Sequence, residues 1–148
     1  MTTHPINMVY NHDQVDNVAT RLYQLLDTCP IMTFTGPLGA GKTTLIREIL
    51  KKVGIKEQVT SPTFNYVNVY KHEDKHYYHF DLYRIKSLDS FCESGFDEYL
   101  YSPKSNVFIE WPDIIMPLLD HSACHFTIDY HENENRIINV MQGLVYYP

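Results

Sequence analysis

The chain has 148 residues, 44% of them hydrophobic and 20% charged, which is enough for one domain with a buried core over residues 1–148. Proteins that grip a nucleic-acid backbone usually present a basic face, so 18 acidic against 12 basic residues and a net charge of -6 disfavour direct nucleic-acid binding. No apolar run approaches the length of a membrane span, so no membrane contact is predicted.

The first half of the chain alternates between helical and strand patterns. A helix is predicted from apolar residues at helical spacing, namely Val15, Val18, Ala19, Leu22, Leu25 and Leu26. Asn11 and Asp13 are its candidate caps. The short run 31–34 predicts a buried strand, and a second helix face follows at Leu45, Ile46, Ile49, Leu50 and Val53. Gly54 stands where this second helix is expected to end.

The second half is richer in strand patterns. Segments 64–70 and 77–83 predict a hairpin whose connection is KHEDKH. Short helices broken at Gly95 are expected over residues 87–100, followed by a buried strand at 107–109. Two further strands, 124–130 and 136–142, flank the polar turn HENEN. The mixture of strands and helices predicts an α/β fold with a central mixed sheet flanked by helices.

Residues 36–44, GPLGAGKTT, match the phosphate-binding pattern G-x-x-x-x-G-K-[ST] between a predicted strand and a predicted helix. Glycines let backbone N–H groups surround a phosphate, and the helix N-terminus adds positive potential there. Lys42 is expected to neutralise the outer phosphates and the Thr43 hydroxyl to bind Mg²⁺. The candidate nucleotide-binding residues of the loop are Gly36, Gly39, Ala40, Gly41, Lys42, Thr43 and Thr44.

Two acidic residues are candidates for the chemistry. Glu110 follows the buried run 107–109, where the end of a parallel strand faces the phosphates, and it is the candidate second metal ligand. Asp81 lies in HYYHFDLYRI on the same strand face as His79, and its neighbour Arg84 is a candidate ion-pair partner. On this pattern alone, a structural ion pair or cap explains Asp81 as well as a catalytic role does.

The order GPLGAGKTT, SPTF, HFDLYRI, ESGFDEYL and IEW resembles the bacterial tRNA threonylcarbamoyladenosine biosynthesis ATPase family, TsaE or YjeE, over about residues 30–112. The resemblance implies a P-loop fold whose antiparallel hairpin carries a switch-like segment, SPTFNYVNVY at residues 61–70. It implies a cytoplasmic, Mg²⁺-dependent ATPase that serves the two-protein complex making threonylcarbamoyl-adenosine in tRNAs reading ANN codons. Such a protein would meet tRNA only through that complex.

The same resemblance implies roles for single residues. Asp81 is required for turnover, Thr63 lies in the switch-like segment, and Trp111 lies beside the nucleotide. Pro37 and Val69 depart from the family pattern, each standing where an acidic residue is common. The adenine pocket is expected near the start of the first helix, without assigned residues. Within the switch-like segment, Tyr66 and Tyr70 are expected to offer an aromatic contact surface.

Other functions remain open on the sequence. A small-molecule kinase usually clamps its substrates with several arginines, and this chain offers only Arg21, Arg47, Arg84 and Arg136. A GTPase is disfavoured because the guanine-reading N-K-x-D element is absent. An adaptor that binds nucleotide without needing to hydrolyse it is a third alternative. Cys29, Cys92 and Cys124 show neither zinc spacing nor a disulfide framework, which favours a reducing cytoplasm.

Overall fold

The computed structural model describes residues 6–62 and 64–142, with the backbone alone for residues 141 and 142. Within them, seven strands form one sheet in the order β1-β7-β6-β2-β5-β4-β3. The strands are β1 Asn7–Tyr10, β2 Ile31–Thr35, β3 Val67–His72, β4 Lys75–Asp81, β5 Ser105–Glu110, β6 Ala123–Tyr130 and β7 Arg136–Gln142. The helices are α1 Val15–Tyr23, α2 Lys42–Val53 and α3 Leu88–Glu93.

The sheet is mixed, as the sequence predicts. Strand β2 runs parallel to both β5 and β6, and β4 runs parallel to β5. Strands β1, β3 and β7 are antiparallel to their neighbours. The four parallel strands therefore end at one edge of the sheet, where Thr35, Asp81, Glu110 and Tyr130 are their last residues.

Helical segments cover both faces of the sheet. Helices α1 and α2 pack against each other on one face, and their apolar sides bury Val18, Leu22, Ile46 and Ile49. The opposite face is covered by α3 and by short 3₁₀ turns, around a cluster that contains Phe80 and Phe91. Because successive strand residues point to opposite faces, Ile31 joins the second cluster and Met32 the first. The predicted α/β class is confirmed.

Several predicted boundaries are confirmed by the backbone. Helix α2 begins after Gly41 and ends at Gly54, where φ is 115°. Gly95, with φ 79°, separates α3 from a 3₁₀ turn over Phe96–Tyr99. The hairpin of β3 and β4 is also present, but each strand reaches two residues further toward the turn than predicted, which leaves only Glu73 and Asp74 between them. At their outer ends, both strands are shorter than predicted, since β3 begins at Val67 and β4 ends at Asp81.

The start of the chain differs from the sequence prediction in two respects. Strand β1 carries no recognisable strand pattern and was missed; its pairing with β7 defines it. Helix α1 ends at Tyr23, short of the predicted Leu26, and Asn11 caps the 3₁₀ turn His12–Gln14 before it.

The prediction that the chain has no disulfide is contradicted by a bond between Cys29 and Cys124, 95 residues apart. Both cysteines are buried, Cys29 just before β2 and Cys124 within the adjacent β6. Their proximity follows from the pairing of the two strands, which no cysteine spacing reveals. Within the described residues, no helix is long and apolar enough to cross a membrane.

Candidate nucleotide site

A cavity of about 430 Å³ opens at the edge where the parallel strands end. Its lining comes from the phosphate-binding loop and the start of α2, from Ser61, and from the strand ends at Asp81 and Glu110. Trp111 and Arg84 complete its rim. Ligands of open α/β sheets bind at this edge, because strand ends, loops and helix N-termini converge there. The fold therefore brings the separate sequence candidates to one place.

The loop depends on glycine at two positions for different reasons. A Cβ atom on Gly36 would lie 2.1 Å from the carbonyl oxygen of Ile128, so no larger residue fits against β6. Gly41 has φ 105°, a conformation that side chains disfavour, and it is the residue from which α2 starts. The N-terminus of α2 consequently faces the cavity, where its free N–H groups favour an anion.

Lys42 lies at the floor of this cavity and is 5% exposed. Its ammonium donates to the carbonyl oxygens of Gly36 and Pro37, the latter at 3.0 Å. It also lies 4.1 Å from the centre of the Trp111 ring. Burial lowers the pKa of Lys42, while the nearby charges of Glu110 and Asp81 act in the opposite direction. The loop thus holds a cation whose position suits phosphate binding.

Thr43 and Glu110 meet beside Lys42. The Thr43 hydroxyl lies 2.9 and 2.8 Å from the two carboxylate oxygens of Glu110, which is 3% exposed. A hydroxyl has one proton to donate, so it can bond to either oxygen in turn. His79 contacts the same carboxylate, with 2.7 Å between its Nε2 and Glu110 Oε2.

The oxygen atoms of Thr43 and Glu110 fit Mg²⁺, which prefers hard oxygen ligands. No group of three or more His, Cys, Asp or Glu in the described residues could hold a metal by itself. Mg²⁺ commonly binds through one or two protein oxygens together with substrate phosphates and water. The donor set thus suits an ion that arrives with a nucleotide.

Asp81 points into the same cavity and is 7% exposed. Its carboxylate accepts a hydrogen bond from the Ser61 hydroxyl at 2.6 Å and another from the backbone N–H of Tyr83 at 3.0 Å. The candidate ion pair between Asp81 and Arg84 is not formed in the described residues, and the Arg84 guanidinium instead lies 5.4 Å from the centre of the Phe64 ring. Asp81 is therefore oriented by neutral donors.

Trp111, the residue that follows Glu110 in the chain, lines one side of the cavity. Its φ of 57° is uncommon for a bulky side chain. The indole packs against the Tyr83 ring, 4.8 Å between centres, and covers the ammonium of Lys42. As the single tryptophan of the chain, it is a natural fluorescent probe of this cavity.

A second cavity, of about 190 Å³, lies between the start of α1 and the phosphate-binding loop. Tyr10, Asn11 and His12 line one side, and Ala40 and Thr44 line the other. Burial raises the pKa of Tyr10 to about 12, so its hydroxyl stays protonated at neutral pH. This is the region where the sequence led us to expect the adenine pocket.

Arg136 and Tyr130 were missed by the sequence analysis. Arg136 Nε donates to the carbonyl oxygen of Ala40 at 3.3 Å, and the Tyr130 hydroxyl donates to that of Leu38 at 2.7 Å. The Arg136 guanidinium also stacks over the Tyr130 ring, 4.5 Å from its centre. Both residues lie far from the loop in the chain, so only the sheet order brings them to it.

The switch-like segment is only partly described. Thr63 lies outside the described residues. The expected contact surface at Tyr66 and Tyr70 was wrong, because Tyr70 is buried and the Tyr66 ring packs 6.1 Å from that of Phe96. The exposed aromatic side chain of this segment is Phe64, at 80% exposure.

Comparison with known proteins gives a consistent result. The profile of the family described as threonylcarbamoyl adenosine biosynthesis protein TsaE matches residues 9–138. A tRNA threonylcarbamoyladenosine biosynthesis protein TsaE from Rickettsia felis is 35% identical over 132 residues, 88% of this chain and 76% of its own length. The protein of that name from Haemophilus influenzae is 36% identical over 107 residues, 72% of this chain and 67% of its own length.

The fold has a counterpart among solved structures. The crystal structure of Bacillus subtilis YdiB superposes with a TM-score of 0.71, covering 97% of this chain and 88% of YdiB. The sequence identity is 22%, so this likeness concerns the fold alone.

Proposed function

Because the chain belongs to the TsaE family of threonylcarbamoyl adenosine biosynthesis proteins, we propose that it is a Mg²⁺-dependent ATPase serving the threonylcarbamoyl-adenosine modification of tRNA. The family resemblance inferred from its motifs is confirmed. The observation that carries the ATPase proposal is the meeting of Thr43, Glu110 and Lys42 at the helix N-terminus that lines the cavity. The Lys42 cation, the oxygens of Thr43 and Glu110 and the free N–H groups of the helix N-terminus together suit a nucleoside triphosphate with its metal ion.

Each side chain has a proposed task. Lys42 is already aimed by two loop carbonyls, so it meets the outer phosphates without a large rearrangement. Thr43 and Glu110 would hold Mg²⁺, which when bound offsets the charge of the phosphate oxygens. Asp81, whose carboxylate retains free lone pairs beside its bonds from Ser61 and Tyr83, would orient the attacking water. Water then adds to the γ-phosphorus, the bond to ADP breaks, and inorganic phosphate leaves.

The base and the partners complete the proposal. The cavity beside Tyr10 and Ala40 would take adenine, with the phosphate chain crossing the loop into the larger cavity. The partner would be the two-protein complex that attaches the threonylcarbamoyl group in tRNAs reading ANN codons, and tRNA would be met only through it. A cytoplasmic location and a single domain over residues 1–148 belong to the same proposal.

The decisive experiment measures phosphate release from ATP by the full chain, with Mg²⁺ and with EDTA. Each measurement is made with and without the purified two-protein complex that attaches the threonylcarbamoyl group, called the modifying pair below. Lys42→Ala is the control, and formation of modified tRNA is scored in parallel. Mg²⁺-dependent release that Lys42→Ala abolishes supports the proposal. If the γ-phosphate of labelled ATP were transferred to an acceptor molecule and not released as free phosphate, the result would favour a kinase. Full tRNA modification with a non-hydrolysable ATP analogue would favour an adaptor.

A further inference from the structure

His79 is a buried polar residue that the proposed chemistry does not yet use. It lies in β4, is 0% exposed, and shares a strand face with Asp81. Its Nε2 lies 2.7 Å from Glu110 Oε2 on the neighbouring β5. Its other ring nitrogen, Nδ1, is buried without a hydrogen-bond partner among the described residues.

The two ring nitrogens together define the tautomer. An ionised carboxylate has no proton to give, so Nε2 carries the hydrogen and donates it to Glu110. Nδ1 is then a bare acceptor, which leaves no unsatisfied N–H in the core. A buried polar atom without a partner costs free energy, and an apolar side chain would fill this position without that cost. The contact with Glu110 is the feature that an apolar side chain would lose.

Thr43 alone does not hold the Glu110 carboxylate in one orientation. Its hydroxyl is within reach of both oxygens, at 2.9 and 2.8 Å, so it does not distinguish between them. His79 contacts only Oε2 and therefore limits rotation of the carboxylate about its terminal bond. The hydrogen bond from His79 therefore fixes the orientation of the Glu110 carboxylate in a way that the Thr43 contact does not.

We propose that His79 is a positioning residue that presents the Glu110 carboxylate to the nucleotide-bound metal ion. This inference rests on the proposed function, because it assumes that Glu110 serves the metal. Hydrogen bonds to ligating carboxylates orient them, and loss of such a partner typically weakens metal binding by about 10- to 100-fold. His79 acts through Glu110 and does not touch the reacting phosphate.

Two substitutions separate positioning from packing. In His79→Gln the side-chain amide nitrogen stands the same number of bonds from Cα as Nε2, so it can still donate to Glu110. His79→Leu fills the space without a donor. Free Mn²⁺ is measured by electron paramagnetic resonance with wild type and variants in the presence of ATP, and metal-free ATP binding is followed by Trp111 fluorescence. Thermal unfolding reports whether each variant folds.

We expect His79→Leu to lose about 10- to 100-fold in Mn²⁺ affinity, with metal-free ATP affinity unchanged, and His79→Gln to retain most of it. Should His79→Leu fail to fold, His79→Asn replaces it, because its amide nitrogen is one bond too short to reach Glu110. Wild-type Mn²⁺ affinity in a folded His79→Leu or His79→Asn protein overturns the inference. Equal loss of metal-free ATP binding in His79→Gln and His79→Leu also overturns the inference, because that is the result expected if His79 serves only packing.

The proposed function is tested by the wild type in the same experiment. If wild-type protein bound ATP no better with Mn²⁺ than without it, both the proposed metal-dependent function and this inference would be contradicted. If Mn²⁺ raised the ATP affinity of the wild type and of His79→Leu equally, only the inference would be contradicted.

Discussion

The Thr43 hydroxyl and the Glu110 carboxylate meet at 2.8 Å although 67 residues separate them in the chain. Thr43 is the second residue of α2, and Glu110 is the last residue of β5. They meet because β5 pairs in parallel with β2, the strand that leads into the loop before α2. Strand pairing thus brings together the oxygens that we propose bind the metal ion.

Substitution of the two acids should separate metal binding from turnover. Glu110→Ala removes the proposed metal ligand, so Mg²⁺-dependent ATP affinity should fall at least about tenfold, or 1.4 kcal/mol. Asp81→Ala should keep ATP affinity, and its rate of ATP hydrolysis should fall roughly 10²- to 10⁴-fold. This is the range typical of a group that accepts a proton from the attacking water in the transition state. Titration of a fluorescent ATP analogue and single-turnover phosphate release measure the two effects.

The isosteric variant Asp81→Asn is the control for packing at this position, since it keeps the shape that contacts Ser61 and Tyr83. If Asp81→Ala loses ATP binding as severely as Glu110→Ala does, the division of roles is wrong.

The isolated protein should be a slow ATPase that the modifying pair stimulates. Within the described residues, no arginine forms an ion pair with Asp81 or Glu110, and the Arg84 guanidinium lies against the Phe64 ring at the rim of the cavity. An arginine supplied in cis or in trans is worth on the order of 10³- to 10⁵-fold in phosphoryl transfer. Either Arg84, released from Phe64, or an arginine of the partner would supply it. The measurement is phosphate release with increasing amounts of the purified pair.

Thr63→Ala tests whether the switch-like segment transmits this stimulation. We expect the variant to retain its slow intrinsic rate and to lose the response to the pair. Phe64→Ala is a companion variant, because it removes the exposed ring that contacts Arg84. Rapid turnover of the isolated chain, unchanged by the pair, would leave the partner hypothesis without support.

Arg136 should contribute to nucleotide affinity by holding the phosphate-binding loop. Its Nε donates to the carbonyl oxygen of Ala40 at 3.3 Å, and a hydrogen bond from a charged donor is worth about 1.5–3 kcal/mol. Because this bond is long, we expect Arg136→Ala to weaken ATP binding by about tenfold, at the lower end of that range. Titration followed by Trp111 fluorescence gives the affinity.

Arg21→Ala is the matched control for Arg136→Ala. It also removes one positive charge, but Arg21 lies on α1 and its described hydrogen bond is to the sulfur of Met8. The prediction would be contradicted if the two variants lowered ATP affinity equally, since the effect would then follow net charge and not the contact with the loop.

The disulfide between Cys29 and Cys124 makes a prediction about thiol counts. Protein denatured without reductant should show one reactive thiol per chain, that of Cys92, and three after reduction. A loop closed across 95 residues restricts the unfolded chain, so Cys124→Ala should cost about 2–4 kcal/mol under oxidising conditions. Three reactive thiols before reduction would show that the purified protein holds the pair reduced.

Elements with strong local patterns were predictable from the sequence. Around Lys42, a short apolar run predicts the strand, glycines predict the loop, and an amphipathic pattern predicts the helix. Each of these signals depends only on residues that are close together in the chain. Gly54 and Gly95 mark element ends for the same reason, since positive φ is a property of one residue. Strand β1 carries no such pattern, and its partner β7 lies at the other end of the chain.

The sequence by itself determined the α/β class, the glycine-rich loop and the family, because these rest on local periodicity and on residue types at fixed spacing. Only the tertiary structure decided which distant side chains meet. It placed His79 against Glu110, Arg136 against Ala40 and Cys29 against Cys124, since the order of strands in the sheet sets these contacts. Strand order depends on the packing of the whole core, and no short segment of the chain encodes it.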